Sequence, residues 1–222
     1  MNPDSLKCGV VLLAAGQGSR MGGVPKCLLT VDGVTLLERH LAAMADAGID
    51  RVVVVSGHYH ASVEPVAARF PVTLVRNPDP DAGQPSSVKL GVGALGGDFD
   101  VIIVALADQP LVGRAELQEL LAAFASRPDG TDVVYPEVDG ERGNPVAFSG
   151  ELIRTLLASG RLALRKFTDE NPQRVHRHRT ANAHFVIDLD TVDDVEALGR
   201  RTGWRLALPA DPGTTGLDVS PR

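Results

Sequence analysis

The sequence predicts an α/β protein, a Rossmann-like three-layer sandwich with a mostly parallel central sheet and a small antiparallel addition. Three observations carry this. Apolar runs too short for helices, at 10–13, Arg51–Ser56 and Val101–Leu106, alternate with longer stretches of helical spacing, the order that parallel pairing with right-handed crossovers produces. Glycines cluster directly behind the first run. After Asp129 the rhythm changes to two short strands, 132–136 and 145–148, around a polar turn, which supplies the antiparallel part.

Each element has its own justification. Residues 10–13 are continuously apolar and end in glycine, as a buried strand does. Residues 34–47 show apolar spacing suited to a helix closed by Gly48. Arg51–Ser56 is a second buried strand, 72–75 a third, and 86–95 a helix starting after Pro85. Val101–Leu106 is the most apolar strand, with a helix over 114–126 behind it. Helical stretches near 150–158 and 161–170 follow, then a last strand at 185–187 and a closing helix over 192–201. Residues 1–207 read as one domain. From 208 to 222 the chain is rich in Gly, Pro, Thr and Asp and reads as a disordered tail.

Composition excludes several classes. The 222 residues are 44% hydrophobic and 23% charged, which is ordinary globular usage. A net charge of −6 offers no general attraction to nucleic acid or anionic membrane, so any polyanion must meet a local positive site. Two cysteines, Cys8 and Cys27, are too few for a disulfide framework or a zinc site and fit a reducing compartment. The segment MNPDSLK has no leading basic region, and the apolar run after it is far shorter than a membrane span, so the expected location is the cytoplasm.

The chemistry starts in the loop Ala14-Ala15-Gly16-Gln17-Gly18-Ser19-Arg20, which continues through Met21-Gly22-Gly23-Val24-Pro25 to Lys26. In an open parallel sheet, ligands bind at the carboxyl ends of strands. Glycines let backbone N–H groups approach an anion, while Arg20 and Lys26 add charge suited to a triphosphate. Two phosphate motifs fail. A P-loop needs Gly-Lys-Ser/Thr, and Lys26 stands between Pro25 and Cys27. A dinucleotide fingerprint needs glycine where Met21 stands, and an acid where Ser56-Gly-His ends the second strand.

The run Leu-Ala-Ala-Gly-x-Gly-x-Arg-Met-Gly-x-x-Pro-Lys resembles the signature of the nucleotidyltransferases that serve sugar phosphates, isoprenoid precursors and the molybdenum cofactor. Ala15 before Gly16 is similar to the users of pyrimidine nucleotides; guanylyl-transferring relatives usually carry a second glycine there.

Asp108 directly follows the strongest strand, so its carboxylate points into the crevice of the glycine-rich loop and suits Mg²⁺. Asp188 and Asp190 are two residues apart and face one side of an extended chain. Thr191 with Asp194 reads as a capping box, which leaves Asp188 unexplained and makes it the expected second metal ligand, with Asp190 the weaker candidate. Asp-Gln-Pro-Leu, Arg142-Gly-Asn-Pro-Val and Asp-x-Asp-Thr-x-x-Asp together resemble the molybdenum cofactor cytidylyltransferases, as does the run from Asn77 through Ser86 and Ser87 to Gly91.

That resemblance covers about residues 8–200 and implies specific roles. Residues 14–20, Lys26, Ser86 and Ser87 would bind nucleotide, with Arg20, Lys26 and Asp108 catalytic. Asp108 and Asp188 would hold Mg²⁺ or Mn²⁺, and Gln109, Arg142, Asn144 and Arg165 would meet the acceptor. The substrates implied are CTP and a phosphorylated pterin, with a molybdenum-dependent oxidoreductase receiving the product and neither nucleic acid nor membrane as partner. The chain departs from the family where Gly160-Arg-Leu-Ala-Leu-Arg replaces Gly-Asp-x-Gly-Ala-Arg, on the acceptor side, and where Val192 replaces a proline.

Other groups read as bland. Arg174, Arg177 and Arg179 interleave His176 and His178 and would repel a cation, so a basic strand is expected there. His58 and His60 sit at the crevice edge. Two rival functions share the fold: an NADPH-dependent reductase of a dye-like catabolite, and a nucleotide-binding chaperone that delivers cofactor. The absent dinucleotide fingerprint weighs against the first, and retention of Asp108 and Lys26 favours turnover over the second.

Overall fold

The computed structural model describes residues 6–209. The tail expected over 208–222 therefore lies, beyond Pro209, outside the described residues.

The chain opens with β1 (Cys8–Ala14), then two-residue strands β2 (Thr30–Val31) and β3 (Val34–Thr35). Helix α1 (Leu36–Asp46) starts two residues later than its spacing suggests, because Thr35 caps it: its hydroxyl accepts from the Glu38 N–H and Glu38 accepts from the Thr35 N–H. Ala47 is its final cap, and Gly48 takes the left-handed conformation just beyond. Next come β4 (Arg51–Ser56), α2 (His60–Ala67), β5 (Thr73–Arg76) and α3 (Gln84–Leu95), followed by β6 (Val101–Leu106) and α4 (Arg114–Ala125). The second half holds β7 (Val133–Val138), β8 (Glu141–Arg142), β9 (Val146–Ser149), α5 (Gly150–Ala158) and α6 (Leu164–Glu170). It closes with β10 (Val175–Arg179), α7 (Val192–Thr202) and β11 (Leu206–Ala207).

The main sheet runs β10-β7-β9-β6-β1-β4-β5, with β8 paired to β7. β1 pairs in parallel with β4 and β6, and β4 with β5, while β9 is antiparallel to both β6 and β7. Alternation along β1 builds the layers. Val10 and Leu12 enter a core closed by Leu41 of α1, Val63 of α2 and Phe124 of α4. Val11 and Leu13 enter the opposite core, closed by Leu95 of α3, Ile153 of α5 and Leu164 of α6.

A second, three-stranded antiparallel sheet, β11-β2-β3, was not expected; strands of two residues are too short for their period to show. Beneath it, Leu29, Val31, Leu36, Val195 and Leu198 form a third core that also buries Met21 and Leu189. One apolar cluster therefore anchors both the glycine-rich loop and the segment of the last aspartates.

The strand expected at 185–187 is instead a 3₁₀ turn, Ala183–Val186. The Asn182 side chain accepts from the His184 N–H, and the Phe185 carbonyl is consumed by the Asn144 N–H and the Gln109 amide. The basic segment Val175–Arg179 pairs with β7 as the edge strand. The helix expected from 161 begins at Leu164, since Gly160 is left-handed at the end of α5.

Candidate active site

The site is built where β1, β4 and β6 end. Gly57 follows β4, and a Cβ there would lie 2.7 Å from the Ala15 Cβ and 2.8 Å from its carbonyl oxygen. Only glycine lets the two strand ends approach so closely. Past Ala15 the chain turns at Gly18, whose φ is 61° and whose carbonyl accepts from the Met21 and Gly23 N–H groups at 2.9 and 3.0 Å. The Tyr59 hydroxyl donates to the Gln17 carbonyl at 2.9 Å. Buried Met21 below and Tyr59 above thus pin a loop whose Arg20 stays exposed.

The facing wall rests on buried Asn77. Its Nδ2 donates to Ser86 Oγ (2.8 Å) and Ser87 Oγ (2.9 Å), while its Oδ1 accepts from the Asp79 N–H (3.0 Å). His58 Nε2 lies 3.3 Å from Asp81 on the same wall. Between the walls is a cavity of about 340 Å³. It is lined by the loop from Leu13 to Arg20, by Lys26 and Cys27, by Pro80, Gly83, Gln84 and Ser87, by Leu106, Ala107 and Asp108, and by Asp190.

The charges are arranged as a chain. Lys26 Nζ is 2.6 Å from one Asp190 oxygen and 3.4 Å from Asp108 Oδ2, while Arg20 pairs with the other Asp190 oxygen. Burial pulls the Lys26 ammonium down, but the hydrogen bond to Asp190 and the two carboxylate charges outweigh it, so its pKa stands above the ordinary lysine value. The hydrogen bond from Lys26, reinforced by Arg20, holds Asp190 below the usual carboxylate range. Burial pushes the Asp108 carboxyl up; Lys26 opposes this, and the charge of Asp188 adds to it. Burial also drives the Cys27 thiol up to about 12, with Asp108 contributing, so Cys27 is an inert wall rather than a nucleophile.

The structure brings together residues 14–20, Lys26, Ser87 and Asp108 around this one cavity. Asp188 does not line it. Its segment is tied to Asp108 by the Leu189 N–H, which donates to the Asp108 carbonyl at 3.2 Å, and it acts on Asp108 through its charge. Ser86 turns away, its hydroxyl bonded to Asn77 and the Gly83 carbonyl. Gln109, expected to meet the acceptor, lies in the interior instead: it is 2% exposed and its Nε2 donates to the Phe185 carbonyl at 3.1 Å. Arg142 and Arg165 both reach Asp169 at 3.3 Å, and Arg142 also stacks on Tyr135. These two and Asn144 stand apart from the cavity wall. Sequence reasoning passed over Gln84, Pro80 and Tyr59 as site residues and took Asp190 for a weaker metal ligand. The only trace of its pairing is that it lies in register with Asp188 just before the capping box. Among the described residues no three His, Cys, Asp or Glu side chains are grouped to hold a metal, and no helix is long and apolar enough to cross a membrane.

This fold and crevice define a nucleotidyltransferase-type protein. The family model of the MobA-like NTP transferase domain matches residues 10–178, and the chain belongs to that family. It is 32% identical over 209 residues to the nicotine blue oxidoreductase of Paenarthrobacter nicotinovorans, a match covering 89% of this chain and all of that protein. It is 29% identical over 172 residues to the bifunctional protein GlmU of Mycobacterium marinum, covering 74% of this chain but only 34% of GlmU. The chain thus spans about a third of the length of the GlmU proteins it matches. A nucleotidyl transferase from Methanothermobacter thermautotroptrophicus superposes with a TM-score of 0.71 at 29% identity, covering 89% of this chain and 97% of that one.

Proposed function

We propose that this chain transfers CMP from CTP to the phosphate of a phosphorylated pterin, the molybdenum cofactor or its precursor, and releases pyrophosphate. The observation that carries the reading is the pair of cations, Lys26 and Arg20, set with Asp108 around a cavity walled by the glycine-rich loop. That is a site for a polyanion and a cation together. Ala15 in the loop favours a pyrimidine base by resemblance.

A divalent cation fits the residues. Asp108 and Asp188 give two carboxylates, and burial together with the charge of Asp188 pushes the Asp108 carboxyl up despite the opposing pull of Lys26, a strain that a bound cation would relieve. Mg²⁺ asks for one or two carboxylates completed by phosphate oxygens and water, and Mn²⁺ takes the same ligands. Such an ion would withdraw charge from the α-phosphate as the transfer proceeds. The remaining work falls to the chain. The loop N–H groups, Arg20 and Lys26 hold the β- and γ-phosphates and so orient the α-phosphate. An oxygen of the acceptor phosphate, already ionised and needing no base, forms the new bond to phosphorus. The bond to the bridging oxygen breaks, and its electron pair leaves on pyrophosphate, which Lys26 neutralises. In this reading the acceptor reaches the cavity from the side of Arg142, Asn144 and Arg165, with Gln109 supporting them from the interior. The enzyme works in the cytoplasm and passes its product to a molybdenum-dependent oxidoreductase.

The test is pyrophosphate release from CTP, GTP, UTP and ATP with Mg²⁺ and molybdopterin, for wild type and Asp108→Ala. Release from CTP that requires the acceptor and disappears in the variant supports the reading; no release from any nucleotide refutes it. One observation favours a second reading: the likeness to nicotine blue oxidoreductase spans that whole protein. Oxidation of NADPH in the presence of nicotine blue, with no pyrophosphate chemistry, would establish reductase activity instead.

A further inference from the structure

The segment joining β10 to α7 has little apolar anchorage at its start: of residues 180–187 only Phe185 is buried. Polar groups hold it instead. Glu116 of α4 is itself buried, at 6% exposure. One of its oxygens accepts from the Gly113 N–H at 2.9 Å and caps the helix. The other reaches across to the joining segment, where it accepts from His184 Nδ1 at 2.7 Å and from Asn182 Nδ2 at 3.3 Å. The same Asn182 amide donates to Glu119, one turn along α4, at 3.1 Å, and Glu119 meets His178 at 2.9 Å. Burial pushes the Glu116 carboxyl up, but the hydrogen bonds it accepts outweigh this, so it stands below the ordinary glutamate value and stays ionised.

What this segment touches is the turn read as the acceptor side. The Phe185 carbonyl accepts from the Asn144 N–H at 2.9 Å and from Gln109 Nε2 at 3.1 Å. A Cβ on Gly143 would lie 2.7 Å from the same oxygen, so turn and segment meet without slack. We infer that Glu116 and Asn182 are positioning residues: they latch the 182–186 segment to α4, and through the Phe185 carbonyl that latch sets the Arg142-Gly143-Asn144 turn against which the acceptor is held. This rests on the nucleotidyl-transfer reading and adds to it. Helix capping uses only one Glu116 oxygen, and it is the second that ties α4 to the segment. Neither residue lines the cavity, so both act through the backbone they hold. A buried polar network is satisfied in one arrangement only, which fixes the turn more sharply than apolar packing of a single Phe185 would.

The experiment compares wild type with Glu116→Gln, Asn182→Asp and the variant carrying both. Glu116→Gln keeps an oxygen for the Gly113 N–H, and with it the cap, but turns an amide NH₂ toward Asn182 and His184. Asn182→Asp keeps the oxygen that accepts from the His184 N–H and sets a third carboxylate against Glu116 and Glu119. Together the two substitutions exchange donor and acceptor and remake the contact. Loss of a hydrogen bond to a charged group should speed hydrogen exchange of the Asn144 amide, followed by NMR, about tenfold in each single variant. Amides of β1 and β6 should be unchanged, which shows that the variants fold. In the transfer assay KM for molybdopterin should rise about tenfold in each single variant, while kcat and the calorimetric affinity for CTP stay within about twofold. The double variant should recover most of both losses. An unchanged Asn144 amide, a CTP affinity that falls as far as the acceptor KM rises, or a double variant no better than Asn182→Asp overturns the inference and leaves the transfer reading standing. Absence of pyrophosphate release from wild type with every nucleotide refutes the transfer reading, and the acceptor-side role with it.

Discussion

Two glycines of the loop separate backbone strain from steric fit. Gly18 and Gly22 both lie in the left-handed region, at φ 61° and 76°. Alanine at either pays the same conformational cost, about 1–2 kcal/mol. At Gly22 nothing stands within 4 Å of the added Cβ, so the cost ends there. At Gly18 the Cβ would lie 2.0 Å from the Val24 carbonyl oxygen. An ordinary contact needs more than an ångström of additional separation, and the clashing atom is backbone. The Gly18 carbonyl also ties down the Met21 and Gly23 N–H groups, so the turn cannot yield without releasing both. We expect Gly22→Ala to lose about 1–2 kcal/mol in urea unfolding and to bind CTP within about threefold of wild type. Gly18→Ala should lose about 1–3 kcal/mol more and at least about tenfold in CTP affinity, which is 1.4 kcal/mol, because the displaced segment carries Arg20. Equal stability and equal affinity for the two variants would refute the argument, since it would mean that the turn is not held in this form.

Three further outcomes follow from the same geometry. Asp108→Asn should lower CTP-dependent pyrophosphate release by at least about 10²-fold. Because burial and Asp188 disfavour the ionised form in the fold, the same variant should melt at or above the wild-type temperature at pH 7, as scanning calorimetry would show. Gly57→Ala, which drives a Cβ into Ala15, should cost about 1–3 kcal/mol of stability and weaken CTP binding by moving the start of the loop; a titration alongside denaturant unfolding checks both. His40 is 4% exposed and burial holds its pKa down to about 4, whereas the unfolded chain takes up that proton near pH 6.5. Its contribution is therefore complete above pH 6.5 and is lost as pH falls toward 4, at about 1.4 kcal/mol per unit and about 3 kcal/mol in all. The stability difference between wild type and His40→Gln, measured in urea across that range, should change by this amount, and a constant difference would refute it.

How far the sequence reveals the site depends on how far each feature is written in local pattern. β1, β4 and β6 are short apolar runs between glycines and helical periods, so their order, and with it the crevice at their ends, can be read directly. The glycine-rich loop and Asp108 are contiguous signals at strand ends and were legible for the same reason. The second sheet was not, because β2, β3 and β11 have two residues each, and β11 joins the β2–β3 hairpin only after the chain has crossed the whole domain. Phe185-Val-Ile looked like a strand because its composition suits one. Its carbonyl is instead claimed by Asn144 and Gln109, two partners whose arrival no local window contains. The same holds for Asp190. Parity placed it beside Asp188, and composition made both look like metal ligands. What separates them is the partner across 164 residues: Lys26 reaches Asp190 at 2.6 Å and leaves Asp188 to act on Asp108 by charge alone. The positive groups that Asp190 meets in the fold are Lys26 and Arg20, a choice of partner set in three dimensions. That choice is made by the third apolar core, which brings Met21 of the loop and Leu189 of the acidic segment together.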